Sequence, residues 1–469
     1  MEPIKFGTSG WRARIAGDFT FANVRRLTAA IAGYLDESGA APAGVIVGYD
    51  TRFLSEEFAA AAAEVLAGAG IRARLSVRSV PTPVVAHAVA HHRAAAWITI
   101  TASHNPAADN GLKLSSPTGA AALPEATRAV EARVVGLPPP AGLPLAEGRR
   151  RGLVEDADFA PAYLAHCRAL VDLEAIRRAR LRVVVDVMHG PARGYLDRLL
   201  EEAGAEVTVL HGERDVLFGG HAPEPSEEHL GPLIAEVRAR SAHVGLATDG
   251  DADRFGIVDA DGTVLAPNPI LAVILRHLLV HRGWRGGVAR SLATTHLLDR
   301  IAAQHDCPVH ETPVGFKYLG DLITQGTAMF GGEESGGLSL RGHPPEKDGI
   351  LAGLLVAELA AVEGTSVAGV LQRLHREVGE LVSGRINVPL TEAVRASLPG
   401  RIAAPPTRLA GRPVVRAQMT DGLKLHFADG AWVLVRPSGT EPVARLYVEA
   451  TDLPSFDAFR DAALQHFFR

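Results

Sequence analysis

The segment that decides the fold runs from Val45 to Ile71 and reads VIVGYDTRFLSEEFAAAAAEVLAGAGI. It opens with a β-branched run, Val45 to Tyr49, and passes through a polar loop into an Ala-rich stretch, Glu56 to Ala67. Gly68 and Gly70 end that stretch before a second apolar run begins. This order predicts strand, loop, helix and strand, and the continuously apolar strand indicates a parallel sheet buried on both faces.

The same order recurs twice more along the chain. The second copy comprises Val183 to Val187, Gly194 to Ala203 and Val207 to Leu210, and the third comprises Val288 onward, Leu297 to Gln304 and Pro308-Val309. The pattern predicts the α/β class, with three related three-layer α/β/α domains. After Arg385 the segments become short and rich in turns, which indicates a smaller α+β domain with an antiparallel sheet. We expect boundaries at 1–150, 151–254, 255–380 and 381–469.

Composition narrows the classes of function. The 469 residues are 47% hydrophobic and 22% charged, with a net charge of -5, the balance of a soluble globular protein. The acidic charge and the low aromatic content argue against a nucleic-acid partner, and Arg276 and Glu358 interrupt the longest apolar stretches, which argues against a membrane span. Two distant cysteines and no apolar leader favour a reducing cytoplasm.

The first candidate site follows the predicted strand Trp97 to Thr101, where α/β folds commonly place their chemistry. Ser103 and His104 stand in this exit loop, and a serine hydroxyl becomes a useful nucleophile only when activated or already phosphorylated. Asn110-Gly111 predicts a tight turn that would return Lys113 toward the serine. The alternative is a capping serine beside a surface histidine.

A second predicted strand, Val244 to Thr248, leads into Asp249, Asp251 and Asp253, with Arg254 next. Three carboxylates at alternate positions would repel one another without a cation, and three protein oxygens leave coordination positions open for phosphate, which suits Mg²⁺. The alternative is a solvated acidic turn.

Five further segments carry groups suited to a phosphorylated sugar. Arg436, Ser438, Gly439 and Thr440 follow a predicted strand and could form an anion-binding turn. Glu333 and Ser335 offer acceptors for sugar hydroxyls on a loop expected to be flexible, whereas Gly315-Phe-Lys317, Lys347 and the Gly-rich turn before Arg12 add backbone and cationic groups.

These segments, in this order, resemble the α-D-phosphohexomutase superfamily, which includes phosphoglucomutases and phosphomannomutases. The resemblance rests on five segments spread over nearly the whole chain: Gly7 to Arg12, Thr101 to Pro106, Asp249 to Arg254, Gly332 to Gly336, and Arg436 to Pro442. It implies four domains around a central cleft, the last a smaller mobile lid. It also implies a small sugar phosphate as substrate, and we expect a monomer or weak homodimer.

The resemblance also implies roles for the matching residues. Ser103 would be the phosphoserine, and one Mg²⁺ would be held by Asp249, Asp251 and Asp253 together with the phosphate on Ser103. Sugar hydroxyls would contact Glu333 and Ser335. The non-transferring phosphate would be bound by Arg436, Ser438, Gly439 and Thr440. The site of phosphoryl transfer would be lined by Arg12, His104, Lys113 and Arg254. Further substrate contacts would come from Gly315, Lys317 and Lys347.

The reaction implied is interconversion of a hexose 1-phosphate and a hexose 6-phosphate through a hexose 1,6-bisphosphate, with glucose 1,6-bisphosphate as activator. Lys113 and His104 both remain open as the general acid/base. Glu333-Glu334-Ser335 resembles glucose-directed mutases, whereas Gly337 stands where several dual glucose/mannose enzymes carry histidine. A mannose or dual enzyme, a hexose bisphosphate synthase and a non-catalytic sugar-phosphate sensor are the alternatives.

Overall fold

Residues 4–7, 10–438 and 443–469 are described by the structure, a computed structural model, and most of their strands lie in four sheets. The elements of the first sheet and its helices are β1 (Trp11–Arg14), α1 (Phe21–Glu37), β2 (Val45–Tyr49), α2 (Ser55–Gly68), β3 (Ala73–Ser76), α3 (Thr82–His92), β4 (Ala96–Ile100), β5 (Asp109–Leu114), α4 (Pro124–Val134), α5 (Leu145–Arg150) and β6 (Val154–Ala157). The strand order is β1-β5-β4-β2-β3-β6. The first sheet therefore extends past the expected boundary at residue 150, because β6 pairs in parallel with β3.

The second sheet has the order β11-β10-β9-β7-β8. Its region contains α6 (Ala160–Leu170), α7 (Leu173–Ala179), β7 (Arg182–Asp186), α8 (Leu196–Glu202), β8 (Glu206–Leu210), α9 (Gly231–Ala239), β9 (Val244–Thr248), β10 (Phe255–Asp259) and β11 (Val264–Leu265). The domain boundary expected after residue 254 is wrong, because the chain continues directly into β10, which pairs antiparallel with β9.

The third sheet has the order β13-β12-β14-β15, and the fourth is antiparallel with the order β16-β22-β21-β20-β19. The third region contains α10 (Pro267–Val280), β12 (Gly287–Ser291), α11 (Leu297–Gln304), β13 (Val309–Thr312), α12 (Phe316–Thr324), β14 (Ala328–Glu333), β15 (Gly337–Leu340), α13 (Gly349–Glu363) and α14 (Val367–Val378). The fourth contains β16 (Val382–Pro389), α15 (Glu392–Ala403), β17 (Arg408–Leu409), β18 (Arg412–Pro413), β19 (Arg416–Gln418), β20 (Leu423–His426), β21 (Trp432–Pro437), β22 (Val443–Ala450) and α16 (Leu453–Phe468). The predicted α/β class with a C-terminal α+β domain is confirmed.

The first three sheets repeat one topology. In each, a central strand (β2, β7 or β12) pairs in parallel with the strand that follows the next helix (β3, β8 or β13). The same central strand also pairs in parallel with a third strand, β4, β9 or β14. That third strand then pairs with an antiparallel neighbour, β5, β10 or β15. The three repeats predicted from the sequence therefore share strand order as well as composition.

One apolar core continues through the first three regions, from α3 to α14. Helix α13 lies inside it, and Leu351, Leu355 and Leu359 are all buried. The buried Glu358 on this helix accepts hydrogen bonds from Arg282 (2.8 Å) and from the backbone N–H of Asp172 (2.9 Å), which satisfies its charge. Among the described residues, no single helix has the length and apolar composition to cross a membrane; by those criteria only the bent pair α13 and α14, which meet at 76°, could do so.

A buried lysine joins the third and fourth regions. Lys424 on β20 lies 4.3 Å from the ring centroid of Trp432, and its Nζ donates to the carbonyl of Leu292 (2.7 Å) and to Glu311 (2.9 Å). Burial, and then the charge of Arg290, lower the pKa of Lys424 to about 8. Glu311 stays ionised beside it because Arg290 also donates to that carboxylate at 2.7 Å.

We predict that this lysine makes stability rise with pH in the alkaline range. The unfolded chain binds the Lys424 proton more tightly than the folded protein does, so the free energy of unfolding should increase between about pH 8 and pH 10.5, by on the order of 3 kcal/mol. Chemical denaturation of the wild type and of Lys424→Met over this range would measure the difference. Parallel pH profiles for the two proteins would contradict the prediction.

Candidate active site

The site is assembled from loops that occupy the same place in the three repeated sheets. The β4–β5 loop carries Ser103, the β9–β10 loop carries Asp249 to Asp253, and the β14–β15 connection carries Glu334 and Ser335. The loops face a single cavity of ≈ 960 Å³. Of the residues predicted for the site, Arg12, His104, Arg254, Lys317, Glu333, Ser335 and Lys347 line this cavity.

Ser103 stands at the point where the first two loops meet. It is buried, its Oγ donates a 2.7 Å hydrogen bond to Asp249, and the same Oγ lies 3.3 Å from Nδ1 of His104. Its φ of 53° is left-handed, a strained conformation for a residue other than glycine. The strand exit thus directs the serine hydroxyl at the carboxylate loop.

The Asn110-Gly111 turn predicted from the sequence is wrong, because both residues lie inside β5. A Cβ on Gly111 would lie 2.4 Å from the carbonyl oxygen of Thr101 and 2.7 Å from that of Trp11, so glycine serves close strand packing. The chain reverses earlier, between residues 103 and 108, and Lys113 still reaches the site.

The three aspartates form a compact, buried group whose ligand atoms all lie within 4.8 Å of one another. Lys113 Nζ donates to Asp251 (2.5 Å) and Asp253 (2.7 Å), and Lys347 Nζ donates to Asp253 (2.6 Å). The Oδ1 atoms of Asp251 and Asp253 are buried and make no hydrogen bond within the described part of the chain. Orphaned carboxylate oxygens in such a group fit a hard divalent cation.

The pKa values within the carboxylate group diverge. Burial, reinforced by Asp253 and Asp251, raises the pKa of Asp249 to about 8. Burial also acts to raise the pKa of Asp253, but Lys113, Lys347 and Arg254 together hold it well below its usual range. The site therefore favours a proton or a metal ion near Asp249, the carboxylate that contacts Ser103.

His104 is electrically neutral at physiological pH. Burial, followed by the charges of Arg254 and Arg12, holds the pKa of its imidazole well below the ordinary value. Arg12 itself is fixed by a 2.6 Å hydrogen bond to the side chain of Asn105. The imidazole is therefore unprotonated in the cavity and has a free acceptor nitrogen, but burial and the neighbouring arginines make it a weaker base than an exposed histidine.

The third loop is shorter than the flexible loop expected, because Glu333 ends β14 and Gly337 begins β15. Glu333 accepts hydrogen bonds from the backbone N–H of Gly315 (2.8 Å) and from Ser335 Oγ (3.1 Å). Burial, then the charge of Glu334, raises the pKa of Glu333 to about 7. Both carboxylate oxygens of Glu333 are therefore hydrogen-bonded within the protein, and the residue also lines the cavity.

The whole chain matches one protein family. Residues 3–137, 161–262, 266–378 and 385–466 match the models of phosphoglucomutase/phosphomannomutase α/β/α domains I, II and III and of the C-terminal domain. The chain belongs to this family. It is an enzyme of the phosphohexomutase type, an isomerase acting on hexose phosphates.

Individual relatives of this mutase differ in the sugar for which they are named. A phosphoglucomutase of Komagataeibacter xylinus is 30% identical over 96% of this chain and 88% of its own length. A phosphoglucosamine mutase of Frankia alni is 33% identical over 95% of this chain and 94% of its own. The crystal structure of a candidate phosphomannomutase from Thermus thermophilus is similar with a TM-score of 0.85 and 34% identity, covering 99% of both chains.

The C-terminal domain of the mutase lines the cavity with residues that sequence reasoning missed. Arg385, Asn387 and Arg445 all lie there, and Asn387 is the register partner of Arg445 across β16 and β22. The alternation of polar Arg385 and Asn387 with apolar Ile386 and Val388 could have indicated a strand with one polar face. Glu346, a buried carboxyl beside Lys347, was also missed.

The predicted phosphate-binding turn of this domain is only partly described. Arg436 donates to Asp421 at 2.8 Å, and Asp421 also accepts the backbone N–H of Val314, so this pair ties the turn to the third domain. The backbone N–H of Ser438 donates to the carbonyl of Val443 at 2.9 Å. Within the described residues, neither Arg436 nor Ser438 contributes to the cavity lining. Gly439 and Thr440 lie outside the described residues.

Gly337 of the mutase makes room for Lys347. A Cβ at position 337 would lie 2.6 Å from Cδ and 2.7 Å from Cγ of Lys347, so a side chain there, including the histidine of dual enzymes, must displace the lysine stem. Lys347 is also fixed through its neighbour Asp348, which accepts hydrogen bonds from Tyr163 (2.6 Å) and His343 (2.9 Å).

We predict that Gly337→Ala lowers kcat by about 10- to 100-fold, because a small displacement of a charged group at the reacting centre is costly. Steady-state kinetics with a thermal melt would separate this effect from unfolding. Gly231→Ala is the matched control, since a Cβ at Gly231 meets nothing within 4 Å. A Gly337→Ala enzyme with kcat within threefold of wild type would contradict the prediction.

Proposed function

We propose that the protein interconverts glucose 1-phosphate and glucose 6-phosphate through a phosphoserine at Ser103 and a glucose 1,6-bisphosphate intermediate. The observation that carries the proposal is the 2.7 Å hydrogen bond between Ser103 Oγ and Asp249, two buried residues whose loops also bring His104 and Arg254 to the cavity wall. A serine nucleophile beside a cluster of carboxylates that suits a divalent cation favours an enzyme that transfers phosphoryl groups over a protein that only binds a sugar phosphate.

Asp249, Asp251 and Asp253 would hold one Mg²⁺, together with an oxygen of the phosphate on Ser103. When bound, the ion would neutralise charge on the phosphoryl group during transfer. Lys113 adds a positive charge beside Asp251 and Asp253, to which it donates hydrogen bonds.

His104 is the general base in this proposal. Burial lowers the pKa of Lys113, but Asp251 and Asp253 outweigh it and raise that pKa, so the lysine keeps its proton and cannot accept another. In the first step the P–Oγ bond of phosphoserine breaks and a P–O bond to the sugar forms, while His104 takes the hydroxyl proton and passes it to Ser103 Oγ, which lies 3.3 Å from its Nδ1. In the second step the turned bisphosphate returns its other phosphoryl group to Ser103, and the Ser103 proton passes through His104 to the sugar oxygen that leaves.

The rest of the cavity would hold and turn the substrate. Glu333 and Ser335 would contact sugar hydroxyls, and Gly315 would act indirectly by fixing Glu333. The distal phosphate would lie between Arg385 and Arg445, which line the cavity together with Lys317, and Ser438, Gly439 and Thr440 would also bind it. Arg12 and Arg254 would flank the phosphoryl group in transfer, and Arg436 would orient the C-terminal domain through Asp421.

The choice of glucose rests on Glu333-Glu334-Ser335, which resembles the sequence of glucose-directed mutases. Mannose and dual specificity are the alternatives. Buried Cys167 and Cys307, both free thiols, support a reducing, cytoplasmic location.

The test is conversion of glucose 1-phosphate to glucose 6-phosphate by purified protein with Mg²⁺ and a trace of glucose 1,6-bisphosphate. We expect turnover, phosphate on Ser103 by mass spectrometry, and no turnover from Ser103→Ala. Ser116→Ala, at a serine that hydrogen-bonds to Thr118, is the matched control. Mannose 1-phosphate and glucosamine 1-phosphate as competing substrates would rank the sugars. Binding of sugar phosphate without turnover would overturn the mutase in favour of a sensor.

A further inference from the structure

Arg52, in the loop after β2, is enclosed by the loop that carries the serine. Its side chain is completely buried. The two terminal nitrogens donate to the carbonyls of Pro106 (2.8 Å) and Asp109 (3.0 Å), and of Ser103 (2.6 Å) and Asn105 (2.6 Å). A guanidinium has five N–H groups, and the remaining one, on Nε, forms an ion-pair contact of 3.1 Å with Asp50 Oδ2.

The surroundings of Arg52 leave it little freedom. Its guanidinium carbon lies 4.9 Å from the ring centroid of Phe218, a residue of the second domain. Asp50 is held in turn by Ser55 Oγ (2.7 Å) and by the backbone N–H of Arg52 (2.9 Å). The arginine is therefore held rigidly inside the serine loop by contacts from the first and the second domain.

The bond to the Ser103 carbonyl bears directly on the nucleophile. Ser103 has a left-handed φ of 53°, an unfavourable conformation for a residue with a side chain that persists only where other contacts impose it. In a trans peptide the C=O and N–H point in opposite directions, so binding the Ser103 carbonyl turns the N–H of His104 away from Arg52. Arg52 thus fixes both the serine and the amide that follows it.

We propose that Arg52 is a positioning residue for phosphoryl transfer, which fixes the loop of residues 103–109 and holds Ser103 in the left-handed conformation that directs it at Asp249. This inference rests on the proposed function, because it assigns Arg52 to the step in which Ser103 donates its phosphoryl group. Arg52 acts on the reaction through the serine loop and is not among the described residues that line the cavity.

Lysine in place of Arg52 tests the inference. It keeps the charge opposite Asp50, but a single nitrogen with three donors cannot span four carbonyls and a carboxylate. We expect Arg52→Lys to lower kcat by about 100-fold or more with KM changed by less than about threefold, because the sugar contacts in the third and fourth domains are untouched. Transfer from phosphorylated Ser103 to glucose 6-phosphate in a single turnover should slow by the same factor.

Arg282→Lys is the matched control, since Arg282 also donates to a buried carboxylate and a carbonyl, but those of Glu358 and Leu170, which lie outside the serine loop. The Arg282→Lys variant should have a lower melting temperature than the wild type and an unchanged kcat. An Arg52→Lys enzyme that folds with kcat within threefold of wild type would overturn the inference and leave the proposed function standing. Absent turnover and an unphosphorylated Ser103 in the wild type would instead overturn the function.

Asp50→Asn provides a second variant if Arg52→Lys does not fold. It keeps the partners of every hydrogen bond from Arg52 to the loop carbonyls and replaces the charged group beside Arg52 Nε by a neutral amide. We expect kcat to fall about 10-fold with unchanged KM. An unchanged kcat in this variant would overturn the inference.

Discussion

Gly250→Ala should reduce kcat by at least about 100-fold, because a shift of roughly 1 Å between reacting groups has that cost. A Cβ at position 250 would lie 2.5 Å from the carbonyl oxygen of Ser103 and 2.6 Å from Cγ of Pro223. Neither neighbour can yield easily. The Ser103 carbonyl is bound by Arg52 at 2.6 Å, and the N–H of Gly250 donates to the carbonyl of Pro223 at 3.0 Å. The serine and carboxylate loops must therefore separate, breaking the contact between Ser103 and Asp249.

Gly245→Ala separates catalysis from stability in this experiment. Gly245 lies on β9, the strand that leads into the loop of Gly250, but its Cβ would meet Val237 at 2.7 Å and Leu233 at 3.0 Å in the helical layer. We expect this control to lower the melting temperature and leave kcat within threefold of wild type. A Gly250→Ala enzyme with kcat within tenfold of wild type would show that the two loops adapt to one another.

The second large effect is expected from Asp253→Asn. This buried carboxylate neutralises Lys113 at 2.7 Å and Lys347 at 2.6 Å, and the substitution leaves two buried cations with reduced compensation. Breaking such a pair should cost about 3–5 kcal/mol of unfolding free energy. It also removes one of the proposed Mg²⁺ ligands, so turnover should fall by three or more orders of magnitude, on the order of a lost electrostatic contact to the transferring group.

The double variant Asp253→Asn/Lys347→Met makes this prediction specific. Removing one of the two uncompensated cations should restore part of the stability, measured by chemical denaturation, without restoring turnover. In addition, Mg²⁺ should raise the melting temperature of the wild type and have no such effect on Asp253→Asn. Stabilisation of Asp253→Asn by Mg²⁺ equal to that of the wild type would place the ion elsewhere.

The parts of the site that sequence reasoning found are those in which chemistry is local to one loop. Ser103 with His104 and the alternating aspartates from Asp249 to Asp253 each follow an apolar strand, and strand ends in α/β folds are where such groups meet. The strand–loop–helix–strand repeats were predictable for a similar reason, since periodicity and helix-ending glycines are local signals.

The parts that were missed depend on distant contacts. Arg52 binds carbonyls about 50 residues away in sequence, at Ser103 and Asn105, and nothing in its own segment marks that role. Gly111 was assigned to a turn because the crowding from Thr101 and Trp11 that requires a glycine there arises only when strands pair. The strand β6 has the sequence VEDA, which lacks an apolar pattern, so the first domain was ended too early.

The three repeated sheets place the serine, the carboxylates and the segment with Glu334 and Ser335 on loops between equivalent strands. Each loop leaves the equivalent strand of its sheet and returns on an antiparallel neighbour, so its sequence can change while the strand pairing beneath it is kept. Selection for a new substrate can therefore act on one loop at a time. An exchange of residues 333–337 alone would show whether sugar preference is inherited with a single loop.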